Sequence, residues 1–222
     1  MQRFVVVGLG HFGGWAARAL YALGHDVIAI EQSPDLVDRF RGLVSVAVVG
    51  DATDRALLKD LGAAQADAAI VSTGGDLATS ILATLALRDL GVKDIYVKVT
   101  SPEAARAVEA FGVRETIFPE REVADRLAHR ITSKSVLEYV PLGPGISLQE
   151  VAIPDAWLGQ TLRQLQLPTT HGIQIVALQD LLTGTVQVAP DPDRALRESD
   201  VAIVAGADEA IRRMLARSKQ DG

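Results

Sequence analysis

The chain contains no cysteine. Disulfides, thiolate nucleophiles and the usual thiolate zinc sites are therefore excluded, and a reducing compartment suits it. Its four histidines, His11, His25, His129 and His171, are scattered, with no helical pair at metal-ligand spacing, so a histidine metal centre is not expected. No apolar run approaches the roughly 18 to 20 residues needed to cross a bilayer. Met1-Gln2-Arg3-Phe4 enters a strand directly, without the layout of a secretory signal. A cytoplasmic protein is expected, one that reaches a membrane only through a partner. A basic stripe is missing too: the net charge of −6 comes from interspersed acids, which argues against nucleic acid or anionic lipid as a partner.

What is present is a globular composition. The 222 residues are 48% hydrophobic and 23% charged, enough for one domain of ordinary size and a small second one, at the apolar end of the range where subunit contacts are common.

From residue 3 to about 118, short β-branched runs alternate with helical patterns. The strands read Phe4 to Val7, Val27 to Ile30, Ser45 to Val49, Ala68 to Val71, Ile95 to Val99 and Thr116 to Phe118. Ser33-Pro34, Thr53-Asp54 and Ser101-Pro102-Glu103 open helices, and Gly24, Gly42, Gly62, Gly91 and Gly112 follow helix ends. Nearly continuous apolar strands separated by helices must run parallel with both faces covered. The fold class predicted is α/β, a doubly wound Rossmann sheet, followed by a small α+β domain.

Glu120 to Leu137 reads as one amphipathic helix, with Val123, Leu127 and Ile131 on its apolar face and Arg121, Asp125, Arg126, Arg130 and Lys134 around it. No parallel strand follows to receive that face. Tyr139 to Gly145 then reads as a break in regular structure, because Pro141, Gly143 and Pro144 crowd it. Beyond it, strands are expected at Ser147 to Ile153, Ile173 to Leu178, Thr185 to Val188 and Val201 to Ala205, with helices at Thr161 to Leu165 and Asp208 to Arg217.

The chemistry concentrates at Gly8-Leu-Gly10-His11-Phe12-Gly13, directly after the first strand and opening a helix. Gly8 allows the tight turn, Gly10 lets backbone approach a phosphate, and Gly13 lets helix and strand pack closely. The helix N-terminus adds free amides and a partial positive charge. Glu31, ending the second strand, is placed to accept from both ribose hydroxyls; its charge, followed by Gln32 rather than arginine, disfavours NADP. Asp51-Ala52-Thr53 ends the third strand, where Asp51 either accepts from an adenine amino group or, with Thr53, caps the next helix. Thr73-Gly74-Gly75-Asp76 is a flexible turn at the same edge, which either contacts ribose or phosphate or only caps the helix beginning near Asp76. Lys98 lies in an apolar strand, where its charge needs a phosphate, an acid such as Glu120, or a route to solvent.

Together these residues resemble the TrkA/KtrA-type regulators of potassium conductance, the RCK or KTN proteins. The resemblance rests on Val6-Val7-Gly8-Leu-Gly10-His11-Phe12-Gly13-Gly14, Val49-Gly-Asp51-Ala52-Thr53, Phe118-Pro119-Glu120 and Glu198-Ser-Asp200-Val-Ala-Ile-Val-Ala-Gly206. It implies a nucleotide-binding domain over 1–119, a crossover and dimerisation helix over 120–139 and a TrkA C-terminal domain over 140–222. It implies further a regulatory, non-enzymatic subunit that gates an integral-membrane potassium channel, with ATP/ADP or NAD(H) as ligand. Homodimers would assemble into an octameric ring, with the helix around Ile81, Leu82 and Leu85 contributing to ring contacts and Glu120 near the phosphates, there able to hold a divalent cation. KtrA-type members usually carry arginine at the His11 position, so the choice among ATP, ADP and NADH stays open. Some relatives bind cyclic di-AMP through an arginine that Leu167-Pro-Thr-Thr-His171-Gly lacks. An NAD-dependent oxidoreductase is the alternative, but no Tyr-x-x-x-Lys pair occurs: the residues four positions after Tyr21, Tyr96 and Tyr139 are His25, Thr100 and Gly143.

Overall fold

A computed structural model describes residues 1–132 and 136–217. The chain divides into two compact units, Met1–Arg121 and Glu122–Gly222.

In the first, strands β1 (Arg3–Val7), β2 (Asp26–Glu31), β3 (Val46–Val49), β4 (Ala68–Val71), β5 (Asp94–Lys98) and β6 (Glu115–Ile117) alternate with helices α1 (His11–Ala22), α2 (Pro34–Phe40), α3 (Arg55–Asp60), α4 (Leu77–Asp89) and α5 (Pro102–Glu109). The sheet is six-stranded in the order β3-β2-β1-β4-β5-β6, all parallel. Successive residues of β1 feed opposite cores: Val5 and Val7 pack with Leu58, Leu87, Ile95 and Val108, while Val6 packs with Leu9, Ala17, Val27 and Ala29. That is why the strands read as unbroken apolar runs instead of alternating ones.

Local chemistry explains the helix starts. Ser33, Asp54, Asp76 and Ser101 each cap a helix by accepting backbone amides, with proline following Ser33 and Ser101. The cap of α3 is Asp54, so neither Asp51 nor Thr53 caps that helix. The five helix-ending glycines all take positive φ.

Helix α6 (Pro119–Thr132) begins at the end of the first unit. Val123, Leu127 and Ile131 stand exposed on it at 54%, 45% and 71%. Lys134 lies outside the described residues.

The second unit is a five-stranded antiparallel sheet in the order β10-β9-β11-β8-β7, from β7 (Val136–Gly143), β8 (Ile146–Ala152), β9 (Ile173–Asp180), β10 (Thr185–Val188) and β11 (Asp200–Ala207). Two single-turn helices, α7 (Leu162–Leu165) and α8 (Leu167–Thr170), precede β9. Helix α9 (Asp208–Arg217) lays Ala210, Ile211, Met214 and Leu215 into a core with Val151, Ile173 and Val204. A small α+β fold is therefore what the residues form.

Strand β7 corrects the sequence reading twice. Val136 and Leu137 belong to it and not to the preceding helix, and Tyr139 to Gly143 is strand, not a break. The physical reason is position. β7 is the edge of its sheet, where Pro141 forfeits no ladder bond that an inner strand would need, and register shifts flank it.

The unit also buries a charge. Asp200 is fully enclosed and accepts both forks of Arg194, at 2.7 and 2.8 Å, plus the Arg197 amide at 2.8 Å. Burial pushes its carboxyl up, but those three donors outweigh it and hold the group below the usual aspartate range.

Candidate functional site

At the carboxyl edge of the parallel sheet, three strand-to-helix turns enclose a crevice of about 270 Å³. The first turn follows β1. Gly8 takes φ +87, and a Cβ there would meet the Ser72 carbonyl oxygen at 2.2 Å; one on Gly13 would meet the Gly8 carbonyl oxygen at 2.0 Å. Both positions are closed to any side chain. Gly10 differs, because a Cβ there would meet nothing within 4 Å, and the space it would fill is the crevice over the start of α1. No side chain caps that helix, which leaves its first amides without a side-chain acceptor.

Glu31 lines the same crevice. Its Oε2 accepts the Leu9 amide at 2.7 Å and its Oε1 the Ser33 amide at 3.0 Å. The carboxylate thus ties the glycine turn to the end of β2, a role the sequence did not disclose, and each oxygen keeps a lone pair for a further donor.

Seven of the residues proposed from sequence line the crevice: Gly8, Gly10, Glu31, Gln32, Ala52, Thr73 and Gly74. Gly13 lies buried beneath it. His11, Phe12, Asp51, Thr53, Lys98 and Glu120 are not in its lining. Asp51 instead forms a local turn, its Oδ1 accepting the Thr53 amide at 2.9 Å and hydroxyl at 2.8 Å, bonds that hold its carboxyl below the usual range. Lys98 is paired with Glu120 at 2.6 Å, and that bond holds the Glu120 carboxyl low. Among the described residues no cluster of three or more His, Asp or Glu is arranged to hold a metal ion.

Reasoning from sequence missed Ser72 and Thr79, which line the crevice together with Asp76 from the turn after β4 and the start of α4. Asp76 caps α4, its Oδ1 accepting the Thr79 amide at 3.0 Å and its Oδ2 the Thr79 hydroxyl at 2.7 Å. Those bonds, the amide's foremost, hold its carboxyl below the usual range. The signal available was the Asp76-Leu-Ala-Thr79 cap spacing; what was lacking was the β1–β4 pairing that carries this turn to the first one.

A parallel sheet in this strand order, with a glycine turn opening onto a helix N-terminus and an acid ending β2, defines a Rossmann-class nucleotide-binding fold. The chain belongs to the TrkA family: residues 4–119 match the TrkA-N domain and residues 148–219 the TrkA-C domain. It is 36% identical over 212 residues to Ktr system potassium uptake protein C of Bacillus subtilis (strain 168), covering 96% of this chain and 95% of that one. It is 32% identical over 210 residues to Ktr system potassium uptake protein A of Vibrio alginolyticus, covering 95% and 94%. Its fold is similar to the GsuK RCK domain, with TM-score 0.66 at 16% identity over 97% of this chain and 47% of that one. It is similar also to the GsuK channel bound to NAD, with TM-score 0.67 at 16% identity over 96% and 39%. The chain thus spans less than half of each GsuK chain.

Among the described residues no helix is long and apolar enough to cross a membrane.

Proposed function

We propose that this chain is the nucleotide-binding regulatory subunit that gates a membrane potassium-uptake system. Its near full-length similarity to Ktr potassium uptake proteins supports the potassium system. The observation that carries the nucleotide input is the open Gly10 cradle beside the Glu31 carboxylate in one crevice.

In this reading the phosphates lie over Gly8 to Gly13, held by the amides and dipole of α1. The ribose hydroxyls bond Glu31, and the adenine rests between Ile30, Leu36 and Ala52, with Gln32 at its edge and Asp51 nearby. Thr73 and Gly74 flank the phosphates. The exposed stripe of α6 meets a second copy of this chain, Leu82 and Leu85 of α4 contribute to closing the ring, and the Lys98–Glu120 pair stands ready to meet a phosphate or divalent cation brought by the partner subunit. A ligand gates the channel only through unequal affinity for two shapes of that ring. No Tyr, His or Lys lines the crevice among the described residues, so nothing there favours the oxidoreductase reading.

Thermal unfolding of the purified chain with ATP, ADP, NAD, NADH and NADPH tests this. A bound ligand at a hundredfold excess over Kd stabilises by about 2.7 kcal/mol, so at least one unphosphorylated-ribose nucleotide should raise Tm by several degrees. If none does, the reading fails. Glu31→Gln keeps an acceptor for one backbone amide but removes the charge, and should narrow the preference for NADH over NADPH by about tenfold.

A further inference from the structure

The second unit holds a cavity whose charge runs against that of the chain as a whole. It lies between the end of α8 and the first turns of α9, encloses about 310 Å³ and is lined by Thr170, His171, Ala210, Arg213 and Met214. Two of these five side chains are basic and none is acidic, in a chain of net charge −6.

Its walls are fixed in advance. Ala210 and Met214 are buried members of the unit's core, so one side of the cavity is packed core. The Thr170 hydroxyl lies 3.1 Å from the Leu165 carbonyl oxygen and 3.0 Å from that of Gln166, which anchors the end of α8. His171 sets its ring against the nearly buried Trp157, with centroids 6.4 Å apart and planes tilted by 32°.

What the cavity lacks is a counter-charge. Glu209, one turn before Arg213, pairs with Arg212 instead, at 3.8 Å. Among the described residues no acid is paired with Arg213, and no hydrogen bond engages the His171 imidazole. The guanidinium therefore keeps its five donors, and the imidazole at least one, for whatever enters.

We propose that this cavity is a second ligand site, separate from the nucleotide crevice, which takes a small organic oxyanion: a carboxylate or a phosphate monoester. The fork of Arg213 bonds the anion through two parallel N–H groups, His171 donates a further bond, and the apolar part of the ligand rests on Ala210 and Met214. Arg213 comes from the terminal helix and His171 from the turn before β9, so an occupant ties α9 to the body of the unit and stabilises that unit by mass action.

Trp15→Phe in the full chain leaves Trp157, beside His171, as the one tryptophan. Its emission is followed while sodium phosphate or sodium malonate is added, against sodium chloride at matched ionic strength. Phosphate, malonate or both should give a saturable change that chloride does not, and the anion that acts identifies the ligand class. Arg213→Gln, at an exposed position, should weaken that binding by at least about tenfold, and Arg213→Lys, which keeps the charge but loses the fork, by less. No saturable change with either anion, or the same change with chloride, overturns the proposal. An affinity that Arg213→Gln leaves unchanged overturns it too, as does a response abolished by Gly10→Val, which would put the anion at the glycine turn.

Discussion

Gly10→Val is expected to leave the melting temperature of the free protein nearly unchanged while removing all stabilisation by adenine nucleotides. Gly10 has φ −61 and ψ −170, ordinary extended backbone, and open space where a side chain would go. Its replacement therefore belongs with surface changes, worth within about 0.5 kcal/mol. The same valine occupies the volume over the amides of α1 where a phosphate would sit. Gly13→Ala should do the opposite. Its methyl would lie 2.0 Å from the Gly8 carbonyl oxygen, a backbone atom that cannot rotate away, so the first unit should lose about 1–3 kcal/mol or more. Thermal scans of both variants with and without nucleotide separate the two effects. A Gly10→Val protein that still responds to ligand would move the site away from the glycine turn.

The second large effect lies in the other unit. Arg194→Met strands the enclosed Asp200 carboxylate, and breaking a buried pair from one side costs about 3–5 kcal/mol, much of what a domain of this size holds in reserve. Removing both charges, as in Arg194→Met with Asp200→Asn, should cost less than the arginine change alone. Trp157, nearly buried in that unit, reports the transition by fluorescence in a Trp15→Phe background. The pair also sets an acid limit. The folded carboxyl is held below its ordinary value of 3.8, so its stabilisation is complete above that value and is lost as pH falls through the lowered one. Denaturant midpoints followed from neutral pH downward should therefore fall in the parent below about pH 4 and fall less in the double variant. Equal slopes would assign the acid sensitivity elsewhere.

Most of the parallel unit was legible because its signals are local. Ser33-Pro34 and Ser101-Pro102 act as caps on amides three residues away, and the glycines after the helices turn left-handed for reasons internal to one turn. The glycine motif was readable for the same reason. What escaped depends on neighbours distant in sequence. Pro141 looks like a strand breaker until the sheet order puts it on an edge. Asp51 and Asp54 offer the same carboxyl to the same helix start, and only the backbone path gives the cap to Asp54. Thr79 reaches the crevice because β4 pairs with β1, a partnership that no spacing in the chain announces. His11 stands inside the glycine motif, yet helix geometry turns it to the exposed side.

Glu31 illustrates how folding prepares a contact in advance. Two main-chain amides already fix its carboxylate, so a sugar docking there would freeze no rotamer. The side-chain ordering that such a contact ordinarily demands, about 0.5–1.5 kcal/mol, is settled before any ligand arrives. A weakly held metabolite can then register at this wall with little entropic resistance, and can leave again without undoing the turn that received it.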